Sequence, residues 1–359
     1  MRVLYVPNEA GAWRQRGLRR GLEDLKAANL IDDAEVFSLL HRVRGGERPA
    51  VAVGDLAGRI ASFAPDIVLM QHLGGAGVTA SAVRALRSIR DFKLVYHEGD
   101  PYSWPLHPLP REARAVGRSA DVVFVVGANN FTRNFERIGS RDVRYLQWGF
   151  DPDRFPDAGP PVATGRDLDV TVIANRNTPR LRGLPGWRDR IAFVELVQAE
   201  FGDRCAIYGR GWGGPGAAGP VPFDEQQGRI RGAWVSANWD HFAGESKYHS
   251  DRLPISLAAG SVHATTNHPG FDDLFPAHVR RSMLLGDSPR SLLAAIVGHL
   301  RDTTPADRLE MMANAQDYAW ANLRYDDQLV EMLNSVGAGI DADEASAAWS
   351  ITRASNHGG

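Results

Sequence analysis

Short apolar runs alternate with amphipathic segments of helical length along most of the 359-residue chain. β-Branched and aliphatic residues fill these runs, which is typical of parallel strands covered on both faces. In the first part, the predicted strands are residues 3–6, 34–38, 67–70, 93–96, 121–126 and 143–146, and the predicted helices are 18–29, 53–64, 79–89, 111–118 and 129–138. This alternation predicts βαβ units and an α/β fold with a doubly wound sheet.

The pattern breaks at residues 151–167, which contain four prolines and read as an interdomain linker. The alternation then restarts, with predicted strands at 170–174, 205–208 and 261–266 and predicted helices at 188–201, 253–259, 291–300, 306–323 and 326–336. Residues 233–238 are predicted as a strand or as the join between a helix and a strand. We therefore predict two Rossmann-like domains, residues 1–155 and 156–320. Residues 321–359 are predicted to add a helix that could pack back on the first domain, and a weakly ordered tail from Gly337.

Two doubly wound domains joined by one linker are expected to face each other across a cleft, lined by the loops that follow the strands. The composition suits such a protein, with 43% hydrophobic residues, 23% charged residues and a net charge of −2. A single cysteine, Cys205, excludes an internal disulfide and a cysteine-cluster metal site, and fits the reducing cytoplasm. The chain has no apolar run of membrane-spanning length, and its opening residues lack a signal-peptide pattern.

A phosphate-binding helix start is predicted in the stretch SDRLPISLAAGSVHATTNHPGFDDLF, residues 250–275. Arg252 stands where a short helix begins, and unpaired N–H groups at a helix start attract anions. His249 and Asp251 lie beside it, and Asp272 could bind sugar hydroxyls or cap the turn that follows. The alternative is an ordinary helix–strand turn whose arginine is a solvated surface charge.

Two further loops of the second half are candidates for binding the same ligand. Residues 175–190 hold five arginines, and guanidinium forks match phosphate oxygens, so Arg176 and Arg182 are the first candidates. Gly209 and Gly211 follow a strand and would let the backbone approach a ligand closely. Trp212 could stack near a nucleobase of that ligand. The alternatives are a solvated basic loop and a tryptophan that belongs to the core.

A general base is predicted at the end of the strand at residues 93–96. His97, Glu98 and Asp100 follow one another there, and carboxylates and imidazoles are the usual proton acceptors in catalysis. Asp100, which precedes a proline, could instead cap the next segment.

A site for a second ligand is predicted in the loops after the first and third strands; in a group-transfer enzyme it would bind the acceptor. Its candidate residues are Glu9, Trp13, Arg14, Arg16 and His72. A basic loop with an aromatic residue could hold an anionic acceptor, nucleic acid included, although a charged helix face explains the same arginines. No Asp-x-Asp pair at a strand end and no His/Cys cluster suggests a metal site, so we expect neither a metal nor a cofactor.

Three segments resemble the GT-B glycosyltransferases, and among them the CgeB-like, spore-maturation type group. They are residues 120–155, the strand with its G-x-G in CAIYGRGW at 205–212, and the stretch 250–275. The resemblance covers roughly residues 120–330. It implies an acceptor-binding N-terminal domain, a nucleotide-sugar-binding C-terminal domain and no catalytic metal. Ile255 departs from the pattern, because it stands where the family has a ribose-binding Glu. Asp251, His249 or another group would have to replace that residue, or the donor would bind in a different geometry.

The expected function is therefore transfer of a sugar from a nucleotide diphosphate sugar, with a UDP-sugar favoured, to an acceptor hydroxyl. The acceptor would be a small molecule, a glycan or modified DNA. The alternatives are a phage-type DNA glycosyltransferase acting on a hydroxymethylated base, a GT-B-shaped sugar-nucleotide epimerase, and a non-catalytic sugar-binding protein. The basic loops favour the DNA enzyme, whereas the net charge of −2 does not.

Overall fold

The structure, a computed structural model, describes residues 1–11, 13–102, 107–178 and 184–356, with side chains as far as Trp349. The strands are β1 (Arg2–Val6), β2 (Asp33–Val36), β3 (Ile67–Gln71), β4 (Lys93–Glu98), β5 (Val122–Val125), β6 (Val143–Tyr145), β7 (Leu168–Ile173), β8 (Cys205–Tyr208), β9 (Ala217–Gly219), β10 (Ala233–Ala237), β11 (Val262–Thr266) and β12 (Met283–Gly286).

The helices alternate with these strands, as the apolar pattern predicts. They are α1 (Arg16–Ala27), α2 (Leu39–Arg44), α3 (Pro49–Phe63), α4 (Ala80–Ile89), α5 (Arg111–Gly117), α6 (Asn130–Arg137), α7 (Trp187–Phe201), α8 (Gln226–Arg231), α9 (Arg252–Ala258), α10 (Phe271–Leu274), α11 (Ala277–Arg280), α12 (Pro289–Asp302), α13 (Pro305–Asn322), α14 (Tyr325–Asn334) and α15 (Ala342–Asn356). Short 3-10 turns occupy Gly202–Arg204 and Phe223–Glu225.

The first compact unit comprises Met1–Leu146 and Tyr325–Gly359. Its described strands form a six-stranded parallel sheet in the order β2-β1-β3-β4-β5-β6. The chain leaves β1 toward β2 on one side and returns to β3 on the other, so the strand order reverses between β1 and β3. In open α/β sheets, ligands bind outside the carboxyl ends of the strands at such a reversal.

Alternation along the strands separates two buried faces of this sheet. Tyr5, Leu69 and Val95 point to one face, where they pack with α1, α14 and α15. Residues of the other parity, such as Met70 and Tyr96, are buried on the opposite face, on the side of α3, α4 and α5. The same parity governs which strand-end residues can meet.

The C-terminal segment differs from the expected weakly ordered tail, because α15 spans Ala342–Asn356. Ala345 and Trp349 are four residues apart, so they share one helix face, and both are buried in the first unit's core. Gly21 of α1 lies under them, and a Cβ there would come 3.1 Å from Leu329 and 3.9 Å from the Trp349 indole nitrogen. Asp341 accepts from the backbone N–H groups of Asp343 and Glu344 at the start of this helix, and five alanines among its fifteen residues favour it.

The second compact unit is the continuous segment Gln147–Arg324. Its described strands form another six-stranded parallel sheet, in the order β12-β11-β10-β7-β8-β9. Here the strand order reverses between β7 and β10. Val172, Val235 and Ala264 face a core shared with α7 and α12, and α9 and α13 cover the other face.

The proline-rich segment predicted as a linker lies inside the second unit. Arg166 fastens its end, because the buried guanidinium donates hydrogen bonds to the carbonyls of Val162, Ala233 and Gly260. The short elements α2, β9, α8, α10, α11 and β12 were not predicted from the apolar pattern. Within the described residues, no helix combines the length and the apolar character needed to cross a membrane.

Candidate functional site

The loop after β1 is organised by Glu9, whose side chain is fully buried. One carboxylate oxygen accepts from the Gln15 backbone N–H at 2.9 Å and from Arg19 Nε at 2.7 Å. The other accepts from Arg19 at 2.6 Å and from the Ser38 hydroxyl at 2.8 Å. Burial alone would raise the pKa of Glu9, but these hydrogen bonds and the Arg19 charge lower it. Glu9 thus holds the start of α1, with its oxygens directed inward.

The other candidates of this loop lie around that anchor. The Arg14 guanidinium donates to the carbonyls of Gly11 and Trp13 at 2.9 and 3.0 Å, and its terminal nitrogens lie 3.3 and 3.2 Å from the ring nitrogens of His41. Trp13 is half-buried, and Arg16 is exposed as the first residue of α1. The structure therefore places four of the five predicted acceptor residues, all except His72, at the β1 end, with Arg14 folded onto its own loop.

A second cluster lies at the carboxyl ends of β3 and β4. His72 Nδ1 is 2.7 Å from Glu98 Oε1 and 3.5 Å from Asp100 Oδ2. The remaining oxygen of Glu98 accepts from the Tyr96 hydroxyl at 2.6 Å, and its first oxygen also accepts from the Asp100 backbone N–H at 3.1 Å. The structure thus brings His72, predicted as an acceptor residue, together with two of the three predicted catalytic residues.

Exposure decreases through this cluster from Asp100, whose side chain is 59% exposed, through His72 at 12% to Glu98 at 1%. Burial lowers the pKa of His72, but the hydrogen bond with Glu98 and the charges of Glu98 and Asp100 outweigh it and raise that pKa to about 8. A buried carboxylate bound to one imidazole nitrogen leaves the other ring nitrogen to act on a substrate, which is the arrangement of a catalytic dyad.

His97 is separated from this cluster because neighbouring strand residues point to opposite faces of the sheet. Its Nδ1 lies 3.3 Å from Gln71 Nε2, and Gln71 in turn accepts from the Tyr5 hydroxyl. Burial lowers the pKa of His97 to about 4, so its ring is neutral near pH 7. His97 therefore belongs to a buried hydrogen-bonded chain with Gln71 and Tyr5, and Tyr5 lies in the core that packs against α1.

In the second unit, Arg252 begins α9 at the carboxyl edge of β7. Its Nε donates to the Ile173 carbonyl at 2.6 Å, and one terminal nitrogen lies 3.5 Å from Asp251. Together with Ile255 and Ser256, these residues line a small cavity of about 50 Å³ between the ends of β7 and β10. That volume admits a few ligand atoms rather than a whole nucleotide.

The glycine loop after β8 lies against the end of β7. A Cβ at Gly209 would fall 2.0 Å from the Ala174 carbonyl oxygen, and its φ is +139°, so only glycine fits. Gly211 has a φ of +85°. Trp212 donates its indole N–H to the same Ala174 carbonyl at 2.6 Å and packs against the core, and the Arg176 guanidinium stacks 5.7 Å from its ring.

Arg176 is also paired with Glu195 at 3.1 Å. Arg182, the second arginine predicted from this loop, lies outside the described residues. The glycines and Trp212 thus shape the strand end, and Arg176 stands over it as a half-exposed cation.

A buried polar cluster at the ends of β10 and β11 was missed by the sequence reasoning. Asp240 is 1% exposed, and its Oδ2 lies 3.1 Å from His268 Nε2 and 3.3 Å from the Thr265 hydroxyl. Asn238 donates to its other oxygen. Burial would raise the pKa of Asp240, but the His268 hydrogen bond and the charges of His268 and Arg190 hold it well below its usual range.

Arg190 stands on α7 over this cluster and donates from Nε to the Trp239 carbonyl at 2.7 Å. Burial and the charge of Arg252 lower its pKa to about 10, so it remains a cation near pH 7. The cluster also has buried polar atoms without a hydrogen-bond partner among the described residues: Asn238 Oδ1, Trp239 Nε1, His241 Nε2, His249 Nε2 and His268 Nδ1. Leaving such atoms unpaired costs about 1–3 kcal/mol each, so their concentration at the point where the strand order reverses favours a binding site.

His249 and Asp272 differ in their surroundings. His249 is buried beside Phe271 and Phe275, its Nδ1 is 3.2 Å from the Ser250 carbonyl, and burial lowers its pKa to about 4. Asp272 is exposed in the first turn of α10. His249 therefore contributes a neutral ring to the side of the cluster that contacts Phe271 and Phe275, whereas Asp272 lies at the surface.

Ligand atoms of His72, Glu98 and Asp100 lie within 4.8 Å of one another, as in sites that hold a metal ion. A histidine and two carboxylates suit several divalent cations. In the structure two of these groups are already hydrogen-bonded to each other, since His72 Nδ1 bonds to Glu98 Oε1. The expectation of a metal-free site stays a prediction.

Comparison with known proteins identifies the fold. Neither a protein-family profile nor a curated protein matches the chain. HepE of Anabaena, solved in complex with UDP and glucose, is similar with a TM-score of 0.59 at 14% identity, over 93% of this chain and 100% of HepE. Sucrose-phosphate synthase of Thermosynechococcus elongatus gives 0.59 at 14%, over 94% and 98%. The β-glucosyltransferase of phage T4 gives 0.52 at 11%, over 95% and 100%. The chain has the GT-B fold of these enzymes, and the CgeB-like group is not confirmed.

Proposed function

We propose that this protein is a glycosyltransferase that moves a sugar from a nucleotide diphosphate sugar to an acceptor hydroxyl. The observation that carries the proposal is the polar cluster around Asp240 and Arg190, at the point where the second sheet reverses its strand order. The similar HepE structures contain UDP with glucose, or UDP-glucose. A UDP-sugar is therefore the donor we propose, in a cytoplasmic enzyme of CgeB-like type.

The donor's diphosphate would lie toward Arg252 and Arg176. The leaving nucleoside diphosphate gains negative charge as the bond to the sugar breaks, and fixed cations stabilise that charge. Arg252 is held in place by its bond to the Ile173 carbonyl, so it needs little reorganisation. The neutral rings of His241 and His249 would then face the uncharged sugar and ribose groups. They could replace the hydrogen bonds that a Glu at the position of Ile255 would make.

On the acceptor side, we propose that His72 takes the proton of the acceptor hydroxyl. The O–H bond breaks, the proton moves to the free ring nitrogen of His72, and the acceptor oxygen bonds to the sugar's anomeric carbon. The electron pair of the broken sugar–phosphate bond leaves with the nucleoside diphosphate. Glu98 fixes the ring at Nδ1 and stabilises the imidazolium that forms. Asp100, the more exposed carboxylate, would bind the acceptor.

A phage-type enzyme acting on DNA is the second candidate, which the similarity in fold to the phage T4 β-glucosyltransferase favours. It would require the arginines of the β1 loop to bind phosphates. Arg14 is already engaged with backbone carbonyls of that loop, so it would have to leave them to bind a phosphate.

The transfer proposal is tested by incubating the protein with UDP-glucose and other nucleotide sugars and measuring release of nucleoside diphosphate. Arg252→Ala is expected to weaken donor binding about ten- to a hundredfold, because a charge-assisted contact of about 1.5–3 kcal/mol is lost. Arg290→Ala, an exposed arginine on α12 of the same unit, is the matched control. An unchanged donor dissociation constant in Arg252→Ala, with the fold intact, would contradict the proposed diphosphate position.

A further inference from the structure

The first unit has a surface cavity of about 470 Å³ between the start of α4 and one side of α5. Three arginines line it, Arg111, Arg114 and Arg118, and Val78, Ala80 and Ala115 supply an apolar wall. A cavity of this size suits a small molecule. Its residues took no part in the sequence-based acceptor prediction.

The cavity belongs to the carboxyl edge of the first sheet. Helices that connect parallel strands run back across the sheet, so α4 and α5 both begin at the edge where β3 and β4 end. The backbone N–H of Gly77 donates to Glu112 at 3.2 Å, which joins the two helix starts. The connection from β3 to α4, residues 72–79, begins with the proposed base His72 and ends with the cavity residues Gly77, Val78 and Thr79.

The arginines form one exposed stripe, because positions i, i+3 and i+7 lie on the same side of a helix. Among the residues that the structure describes, the guanidinium groups of Arg111 and Arg114 have no hydrogen-bond or ion-pair partner. Arg118 donates from Nε to the Ile138 carbonyl at 2.6 Å. Glu112 lines the same cavity, so three positive charges stand against one negative charge, in a chain whose net charge is −2.

We propose that this cavity binds the anionic group of the acceptor, and that the acceptor is a small molecule carrying a phosphate ester. This inference rests on the proposed function. A phosphate monoester carries a charge of about −1.5 to −2 and three acceptor oxygens, whereas one carboxylate would occupy only one guanidinium fork. The apolar wall would contact the body of the molecule.

A small molecule is favoured over a nucleic acid by the character of the lining. Single-stranded nucleic acids bind where aromatic rings offer stacking platforms beside the cations. Within the described residues, the lining of this cavity includes arginines and small apolar residues and no aromatic ring. Its charge is suited to one compact anion rather than to a long backbone.

The test measures binding of phenyl phosphate to the full chain by broadening of its aromatic ¹H NMR lines, with benzyl alcohol as the neutral probe observed in the same way. Arg111→Gln removes a cation that lines this cavity alone. Arg137→Gln changes a neighbouring cavity of about 460 Å³ that shares Arg114, and the exposed Arg84→Gln changes neither. We expect binding of phenyl phosphate about tenfold weaker in Arg111→Gln and unchanged in the two controls.

Several results would overturn the inference: no broadening with the wild-type chain, equal broadening in Arg111→Gln, or loss in Arg137→Gln alone. Displacement of phenyl phosphate by a single-stranded oligonucleotide at a lower concentration would overturn the small-molecule assignment. Binding is measured without a nucleotide sugar. A negative transfer assay would therefore contradict the proposed function without affecting the inference of phosphate binding. Absence of line broadening would contradict phosphate binding without affecting the proposed function.

Discussion

At the scale of single residues, Glu98 determines the properties of its neighbours. Its carboxylate is buried and accepts hydrogen bonds from a tyrosine hydroxyl and a backbone N–H while holding His72 at Nδ1. A buried anion requires such compensation, since an unpaired one would be strongly destabilising. The same interaction favours the charged form of His72, so one carboxylate sets both the orientation and the basicity of the ring.

The transfer rate is expected to depend on pH through His72. The ring must be neutral to accept a proton, and its pKa is raised to about 8, so kcat/KM should increase as the pH rises through about 8 and level off above it. His72→Gln should lower kcat/KM about 10²- to 10⁴-fold, the range for losing a general base. Glu98→Gln should shift the increase to lower pH, because it removes the interaction that raises the pKa.

His97→Gln is the matched control, because His97 lies on the other face of the sheet and its pKa is lowered to about 4. A rate that is flat from about pH 6 to about pH 9, a span around the ordinary histidine pKa, would contradict the assignment of His72 as the base. The folding stability of the protein should change with pH in the direction opposite to the transfer rate. Because folding raises the pKa of His72 from 6.5 to about 8, its stabilising contribution is complete below pH 6.5 and is lost as the pH rises through about 8.

At the scale of elements, α15 shows how one aromatic residue can fix a helix to a core. Trp349 is 1% exposed and packs in the core that α1 and α14 share. The absence of a side chain at Gly21 leaves the space that this packing uses. The helix is therefore an integral layer of the first unit.

Trp349→Ala is expected to lower the free energy of unfolding by about 3–5 kcal/mol, because it leaves a large cavity in the core. Urea denaturation followed by circular dichroism measures this change. Glu344→Ala, an exposed position on the same helix, should change the free energy of unfolding by less than about 0.5 kcal/mol. Equal small effects in both variants would show that α15 contributes little to the stability of the unit.

Most strands and long helices could be predicted because each is one uninterrupted apolar or amphipathic run. β8, for example, was predicted with its observed bounds, Cys205–Tyr208. The strand β12 is equally short but was missed, because its run MLLG contains no β-branched or aromatic residue that would favour a strand. Trp349 was missed for another reason, because its partner Gly21 lies more than three hundred residues away in the sequence.

The candidate site was predictable as a set of loops but not as a set of contacts. The position of His97–Asp100 after a strand indicated a base. The pairing of Glu98 with His72, however, depends on the strand register, which places Gln71 beside His97. Asp240 and His268 meet only because β10 and β11 are neighbours. Strand order is a tertiary property, so local patterns cannot supply it.

At the scale of the whole molecule, the two sheets reverse their strand order at different places. The first reverses between β1 and β3 and the second between β7 and β10. Each carries a different kind of chemistry at its carboxyl edge, a carboxylate–imidazole pair in the first unit and buried arginine, aspartate and histidine in the second. This division suits a reaction with two substrates.

Transfer is expected to survive EDTA. In the proposed arrangement, Arg252 and Arg176 balance the charge of the leaving diphosphate, and His72 accepts the proton without a metal. The measurement is the rate of nucleoside diphosphate release in excess EDTA, compared with the rate after the EDTA has been removed by dialysis. Complete loss of turnover that manganese restores would contradict it and would point to the cluster of His72, Glu98 and Asp100 as a metal site.

The division of the first unit between two stretches of chain affects the order in which the protein can mature on the ribosome. Residues 147–324, which are 178 residues, separate Leu146 from Tyr325. At roughly 5–20 residues per second, their synthesis takes about 9 to 36 seconds. During that interval the core surface destined for α14 and α15 is exposed, whereas the contiguous second unit can complete itself. The half that is translated first therefore finishes last, and it is the half for which assistance by a chaperone would matter.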